Sequence, residues 1–267
     1  MQDCKTDLIQ KAKNIRKNII DVMGAKKSAH VGGSLSCVDI LTVLYGTILE
    51  NAGKSTDDRD RFILSKGHCA LALYAALAEF GIITQDELAS FTENGGDFPT
   101  HVVQNKEKGL EVSSGSLGMG LPFAIGTAIA LKRKKINKKV YVLVGNGELN
   151  EGSNWESIMF AGSNGLNNIV LIVDDNKMQN DGESSAVLPV SDWGTKLKSF
   201  NWTVQSVDGH NTYELENSLK QAKSYDGPIA IIANTIKGKG VSFMENVGSW
   251  HHSKMNEEQY LEAIKEV

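Results

Sequence analysis

Cysteine is scarce in this sequence, and the three present, Cys4, Cys37 and Cys69, are scattered and odd in number. No CxxC pair occurs, so neither a disulfide framework nor a structural zinc site is indicated. Positive charge is not in excess either. With 28 Lys and Arg against 32 Asp and Glu, the chain lacks the basic surface of a nucleic-acid-binding protein. No apolar run approaches the roughly 20 residues that span a bilayer. The amino terminus, MQDCKTDLIQK, has no apolar h-region of a secretory signal. Internal repeats, low-complexity tracts and linker-like stretches are also missing. What is present, 41% hydrophobic residues over 267 positions, is enough for an ordinary core. The expectation is a soluble, cytoplasmic α/β protein, a single domain over 1–267, with neither nucleic acid nor membrane as partner.

Periodicity divides the chain. Leu8, Ile9, Ala12, Ile15, Ile19, Ile20 and Met23 fall at helical spacing between Asp7 and Met23. Ser36 followed by Asp39 has the form of a capping box and predicts a second helix over CVDILTVLYGTIL; Thr84 with Glu87 predicts another, ending near Phe91. RFILS (61–65) reads as a short strand and 69–80 as an Ala- and Leu-rich helix. The stretch from Glu93 to Ser114 reads as a long loop, of a kind that is often functional. Beyond it, VYVLV (140–144), IVLIV (169–173), WTVQSV (202–207) and PIAIIAN (228–234) alternate with helical patterns over 117–133, 154–165 and 213–223; a last helix spans 256–265. Apolar strands alternating with helices predict a parallel sheet flanked by helices. In such sheets ligands bind beyond the carboxyl ends of the strands.

Two strand ends carry suitable chemistry. VYVLV runs into Gly145-Asn146-Gly147-Glu148-Leu149-Asn150-Glu151-Gly152, and IVLIV into Asp174-Asp175-Asn176-Lys177-Met178. Asn146 and Asn176 offer hard oxygen ligands that suit Mg²⁺ or Ca²⁺, especially where phosphate oxygens complete the shell. Gly145 and Gly147 let backbone approach a phosphate closely. A lone glycine-rich loop is a weak signal; the pair of loops, each after an apolar strand, is much stronger.

GNGELNEGSNWE followed by VDDNKM resembles the thiamine-diphosphate motif of transketolases, which opens with GDG and closes on an Asn about thirty residues later. Four further segments resemble the same family in the same order: SAHVGGS (28–34), SKGH (65–68), His101 with LEVSSGSLG (110–118), and KGKG (237–240) with Trp250-His251. The resemblance covers essentially the whole chain. It implies the diphosphate-binding-type α/β fold and the transfer of a two-carbon ketol group from a ketose phosphate to an aldose phosphate, with thiamine diphosphate and Mg²⁺ (Ca²⁺ or Mn²⁺ as substitutes). It assigns the metal to Asn146, Asn176 and the Met178 carbonyl. The diphosphate falls to Gly147, His68, Lys237 and His251, with Gly145 and Glu148 in the same loop. The aminopyrimidine end falls to Gly115, Ser116 and Leu117. His30 and His101 match residues that handle substrate hydroxyls and protons, with His251 beside them; Glu151 matches an interfacial acid near a partner's activating glutamate. The resemblance ends at the first half of the family's architecture. It therefore implies a second chain, the pyrimidine-binding carboxy-terminal subunit, in an α2β2 heterotetramer inactive without that partner.

One position departs from the pattern. Asn146 stands where most relatives have Asp, so it keeps a carbonyl oxygen but loses a negative charge, and weakened metal affinity is expected. That departure leaves room for a related split ketol or acyloin transferase with a specialised substrate, or for a non-catalytic scaffold subunit. Some residues have plainer readings. Glu148 is explained by an acid's preference for the first turn of a helix, Cys69 by packing, and Lys132–Lys139 by a solvated helix end. His210 and His252 lie outside the cofactor motifs. GSLGMG (115–120) lacks the preceding strand and following acid of a dinucleotide loop.

Overall fold

A computed structural model of the chain describes residues 2–25, 27–54, 56–189 and 192–267, the side chains of 2–6 excepted. The apolar runs become β1 (Arg61–Leu64), β2 (Val140–Gly145), β3 (Ile169–Asp175), β4 (Thr203–Asp208) and β5 (Ile229–Asn234). They form one five-stranded sheet of order β1-β2-β3-β5-β4, and every pairing is parallel. The β2–β3 register sets Gly145 beside Asp174, so the two ligand-bearing loops leave the sheet side by side.

The alternation of side chains across a strand assigns them to two cores. Tyr141, Leu143, Val170, Ile172, Ile229 and Ile231 face one way. They meet α1 (Gln2–Gly24), α2 (Val31–Ser36), α3 (Val38–Val43), α4 (Ala70–Glu79), the short α5 (Gln85–Ala89), α10 (Thr212–Ser224) and α11 (Glu257–Glu266). Val140, Val142, Val144, Ile169, Leu171 and Val173 face the other way, onto α6 (Gly120–Arg133), α7 (Gly152–Ser163) and α9 (Trp193–Ser199); α8 is one turn, Ser184–Val187. Both faces are covered, which is why the central strands are continuously apolar. Among the described residues no helix is long and apolar enough to cross a membrane.

The Thr84–Glu87 capping box is present, with both reciprocal bonds made, and Asn256 with Gln259 forms another at the start of α11. The predicted box at Ser36 is not. Ser36 closes α2, and its hydroxyl donates to the Asp174 carboxylate at 2.6 Å and lies 3.0 Å from the Gly33 carbonyl, whereas Asp39 is taken by Arg16 and His210. A tertiary partner outcompeted the local cap.

Candidate active site

Beyond the carboxyl ends of β1, β2, β3 and β5 lies a cavity of about 430 Å³. The loop after β1 brings Lys66 and His68 to it, that after β2 brings Gly145, Asn146, Gly147, Glu148 and Glu151, and that after β3 brings Asn176 and Met178. Lys237 arrives after β5 and His251 from the segment beyond. His30, His101, Gly115 and Leu117 complete the sequence-derived set. Ser116 alone of that set points elsewhere: it is exposed and does not line the cavity.

Local pairings explain the convergence. Ala29 and Ser253 exchange backbone hydrogen bonds of 3.2 and 3.1 Å, which sets His30 against His251 and His252. Val102 donates to the Gly67 carbonyl and Ser114 to the Val102 carbonyl, fixing His101 and Gly115 beside the β1 loop. Gly32 is required by contact: a Cβ there would lie 2.9 Å from the Trp250 carbonyl oxygen and 3.1 Å from Lys237 Cγ. Gly238, at φ +81°, holds the turn after Lys237 and would strike the Met244 carbonyl with any side chain.

Five of the six histidines of the chain gather here. The His30 ring lies 5.2, 5.3, 5.4 and 4.5 Å from those of His68, His101, His251 and His252. Burial, aided by its neighbours, pushes His30 down to about 3, and burial with Lys237 nearby brings His251 to about 4. His101 is lowered for the same first reason. These three rings are therefore neutral at neutral pH, each with one N–H and one lone pair.

Lys237 is only 2% exposed, yet among the described residues its ammonium forms no ion pair; it donates to the Gln179 carbonyl at 3.1 Å and lies 3.0 Å from His251 Nδ1. Burial, and Lys66 second, lower it to about 8. Lys66 is also buried but is paired with Asp174; burial pulls its ammonium down and the carboxylate more than offsets this, leaving it raised. Asp174, with no exposed surface, further accepts from Ser36 Oγ at 2.6 Å and from Thr235 Oγ1.

The amide groups are oriented as well. Asn146 Nδ2 donates to Ser184 Oγ at 2.6 Å and Asn176 Nδ2 to Ser36 Oγ at 3.3 Å, an assignment that rests on the hydrogen-bond network. Each carbonyl oxygen is turned away from its serine. Asn176 Oδ1 accepts from the Met178 N–H at 3.1 Å and keeps a second lone pair. Among the described residues no group of three His, Cys, Asp or Glu could hold a metal by itself.

Several features suit an anionic ligand bearing a divalent ion. A Cβ on Gly145 would meet nothing within 4 Å, so backbone there faces open space. His30 Nδ1 and Asn150 Oδ1, on residues lining the cavity, are buried without partners. Lys237 supplies an unneutralised cation, and the neutral amides need a ligand oxygen to balance a metal's charge. A larger hollow of 890 Å³ adjoins the site among α9, β4 and β5. It contains none of the histidines, and several of its polar groups pair with one another: Asp192 with Thr195, Asn234 with Ser206, Asp175 with Lys177. We place the chemistry in the smaller cavity.

Glu148 does stand in the first turn of a helix, the 3₁₀ turn Gly147–Asn150, but it is 2% exposed and accepts from Ser65 Oγ, from Gly118 N at 2.9 Å and from Gly145 N at 3.1 Å. One carboxyl thus ties together the loops after β1 and β2 and the loop before α6. Burial raises its pKa, with those three donors opposing the rise. Sequence reasoning also passed over Lys66, although it lies within the quoted SKGH, and Gln179, Asn180 and Asp181, which follow Met178 directly into the cavity wall. His252, set aside for want of a motif, stacks edge-on against His30.

A parallel sheet flanked by helices, with such a site at its carboxyl edge, defines an α/β cofactor-binding protein. Residues 8–266 match the family described as transketolase, thiamine diphosphate binding domain, and the chain belongs to that family. It is 39% identical over 272 residues to the 6-deoxy-6-sulfo-D-fructose transketolase subunit of Clostridium sp. (strain MSTE9), covering 100% of this chain and 98% of that one. It is 38% identical over 265 residues to an apulose-4-phosphate transketolase subunit from Actinobacillus succinogenes, covering 98% and 96%. Human transketolase matches at 36% over 261 residues, 96% of this chain but 41% of that protein. Among solved structures, transketolase from Leishmania mexicana superposes with a TM-score of 0.88 at 27% identity and that from Campylobacter jejuni with 0.87 at 28%. The chain spans 40% and 42% of the length of those two.

Proposed function

We propose that this chain is the cofactor-binding subunit of a two-chain transketolase, moving a two-carbon ketol group from a ketose phosphate to an aldose phosphate. The carrying observation is the single cavity that joins an unpaired buried lysine, two oriented amides and a cluster of neutral histidines. When bound, thiamine diphosphate supplies the nucleophilic carbon and the electron sink for ketol transfer. Lys237, His68, His251 and the Gly145–Gly147 backbone would hold the diphosphate, and Asn146, Asn176 and the Met178 carbonyl would hold Mg²⁺. Gly115 and Leu117 border the aminopyrimidine end. His30 and His101 each give and take one hydrogen bond at sugar hydroxyls and move protons there; being neutral, they place no charge beside a cationic ring. Glu151 is exposed on the rim, where a partner chain would meet it.

The sequence likeness over nearly the full length of two proteins named as transketolase subunits supports the two-chain reading, for which the assembly we propose is α2β2. The substrates in their names, a sulfofructose and apulose 4-phosphate, favour a specialised sugar over the common pentose and hexose phosphates. The test is to purify the tagged chain from its native lysate and to assay ketol transfer on the eluate with thiamine diphosphate and Mg²⁺. The donor panel holds ordinary, sulfonated and branched ketoses. A co-eluting chain, with activity that the purified subunit lacks, is the expected result. Failure to bind the cofactor even with partner and Mg²⁺ present would leave a scaffold role.

Asn146→Asp restores a carboxylate to the amide pair and is expected to tighten Mg²⁺ roughly tenfold in the presence of thiamine diphosphate, about 1.4 kcal/mol. Calorimetric titration of both proteins decides it, and equal affinities would sink the weakened-site idea.

A further inference from the structure

We infer that Asp39, His210 and Arg16 form a positioning network that sets Lys237 for diphosphate binding, an inference that rests on the reading of Lys237 given above. Asp39 sits in α3, Arg16 in α1 and His210 in the turn after β4; none of the three lines the cavity. The buried Asp39 carboxylate takes both guanidinium nitrogens of Arg16, Nη1 at 3.1 Å, and also lies 2.8 Å from His210 Nδ1. From that anchor two arms reach the backbone on either side of Lys237. His210 Nε2 accepts the Ile236 N–H at 2.8 Å. Arg16 Nε donates to the Lys239 carbonyl at 3.2 Å.

The geometry also fixes the histidine tautomer. An Nε2 that accepts a backbone N–H carries no proton, so Nδ1–H donates to Asp39. Asp39 thereby determines which nitrogen faces Ile236. Burial alone would raise the Asp39 carboxyl, and the bonds from His210 and Arg16 bring it below its ordinary value instead. The segment has other ties as well: Thr235 Oγ1 donates to Asp174, Gly240 N to Glu245 Oε1 at 3.1 Å, Gly238 N to Gly32 O at 2.9 Å and Asn246 N to Lys237 O at 2.8 Å. They locate the turn, with Lys239 N donating to the Ile236 carbonyl at 3.2 Å, while His210 holds the Ile236 N–H of the peptide one step before Lys237. A lysine that binds a diphosphate as a point charge loses affinity when its stem is aimed wrongly.

The network is tested by a double-mutant cycle on thiamine diphosphate affinity, using the full chain with Mg²⁺ and the partner that co-purifies with it. His210→Phe keeps the volume and removes both bonds; it is expected to weaken binding roughly tenfold, about 1.4 kcal/mol. In a Lys237→Met background the same change is expected to cost nothing further. His210→Gln, which offers both a donor and an acceptor, should recover part of the loss. Should His210→Phe fail to fold, Arg16→Lys takes its place, keeping the charge on Asp39 while removing the arm to Lys239. If Lys237→Met weakens binding but His210→Phe is silent, or is equally costly in both backgrounds, the positioning role is overturned and the diphosphate reading survives. If the wild type binds no cofactor, or Lys237→Met costs nothing, the diphosphate reading falls and the positioning role with it.

Discussion

Replacing Lys237 by methionine is expected to lower thiamine diphosphate affinity about a hundredfold, roughly 2.7 kcal/mol, while raising the thermal midpoint of the empty protein. Both effects share one cause. Among the described residues Lys237 is buried without an ion pair, so its charge opposes folding, and on the proposed reading a bound diphosphate would relieve it. Methionine keeps the length and apolar stem and removes that charge. The pH dependence follows from the depressed value of about 8. As pH rises through 8 the folded chain sheds this proton and cofactor affinity falls. Between 8 and the ordinary lysine value the unfolded chain holds a proton that the folded chain lacks, so the empty protein gains stability with rising pH there. Calorimetric binding and thermal melts at a series of pH values separate the two slopes. A Lys237→Met protein that binds as tightly as wild type would remove Lys237 from the diphosphate site.

Lys66→Met is expected to cost about 3–5 kcal/mol, because it leaves the Asp174 carboxylate in the interior without its cation. For a chain of this size that is a fall in melting midpoint of roughly 10 °C. Ser36 and Thr235 still donate to Asp174, but two hydroxyls do not neutralise a buried charge. The double variant Lys66→Met, Asp174→Asn removes both charges and should recover most of the loss. Asp174 lies in register with Gly145, and its carbonyl accepts the Asn146 N–H at 3.2 Å. Strain at this pair therefore reaches both amide-bearing loops, and the single variant is expected to lose cofactor affinity along with stability. A Lys66→Met protein melting within a degree or two of wild type would show that the pair contributes little.

These two lysines mark the boundary of what a linear reading reaches. Lys66 stands inside a motif quoted for its histidine, and Asp174 inside one quoted for Asn176. Their pairing spans 108 residues, and nothing local announces it. The same holds for Asp39 and His210, 171 residues apart. Ser36 misleads for the converse reason, and the correct first-turn reading of Glu148 leaves out its tertiary partners. A serine three residues before an acid, and an acid in a helical first turn, have excellent local explanations; the fold gave Ser36 to Asp174 and buried Glu148 among three loops.

What the sequence by itself determined is what neighbouring residues decide together: the strands, whose period and apolarity require cover on both faces, and the Gly-Asn and Asp-Asn loops at their ends. The parallel α/β class and the family follow from those. Tertiary structure alone decided which charges are paired and which are left for a ligand. Parallel crossovers carry loops from distant parts of the chain to one edge of the sheet. Pairing at that edge depends on distances and burial, which are set only when the sheet is complete. Lys66 and Lys237 are both buried lysines in glycine-flanked loops. One meets a carboxylate and supports the fold; the other forms no ion pair among the described residues, which is why we propose it for the cofactor.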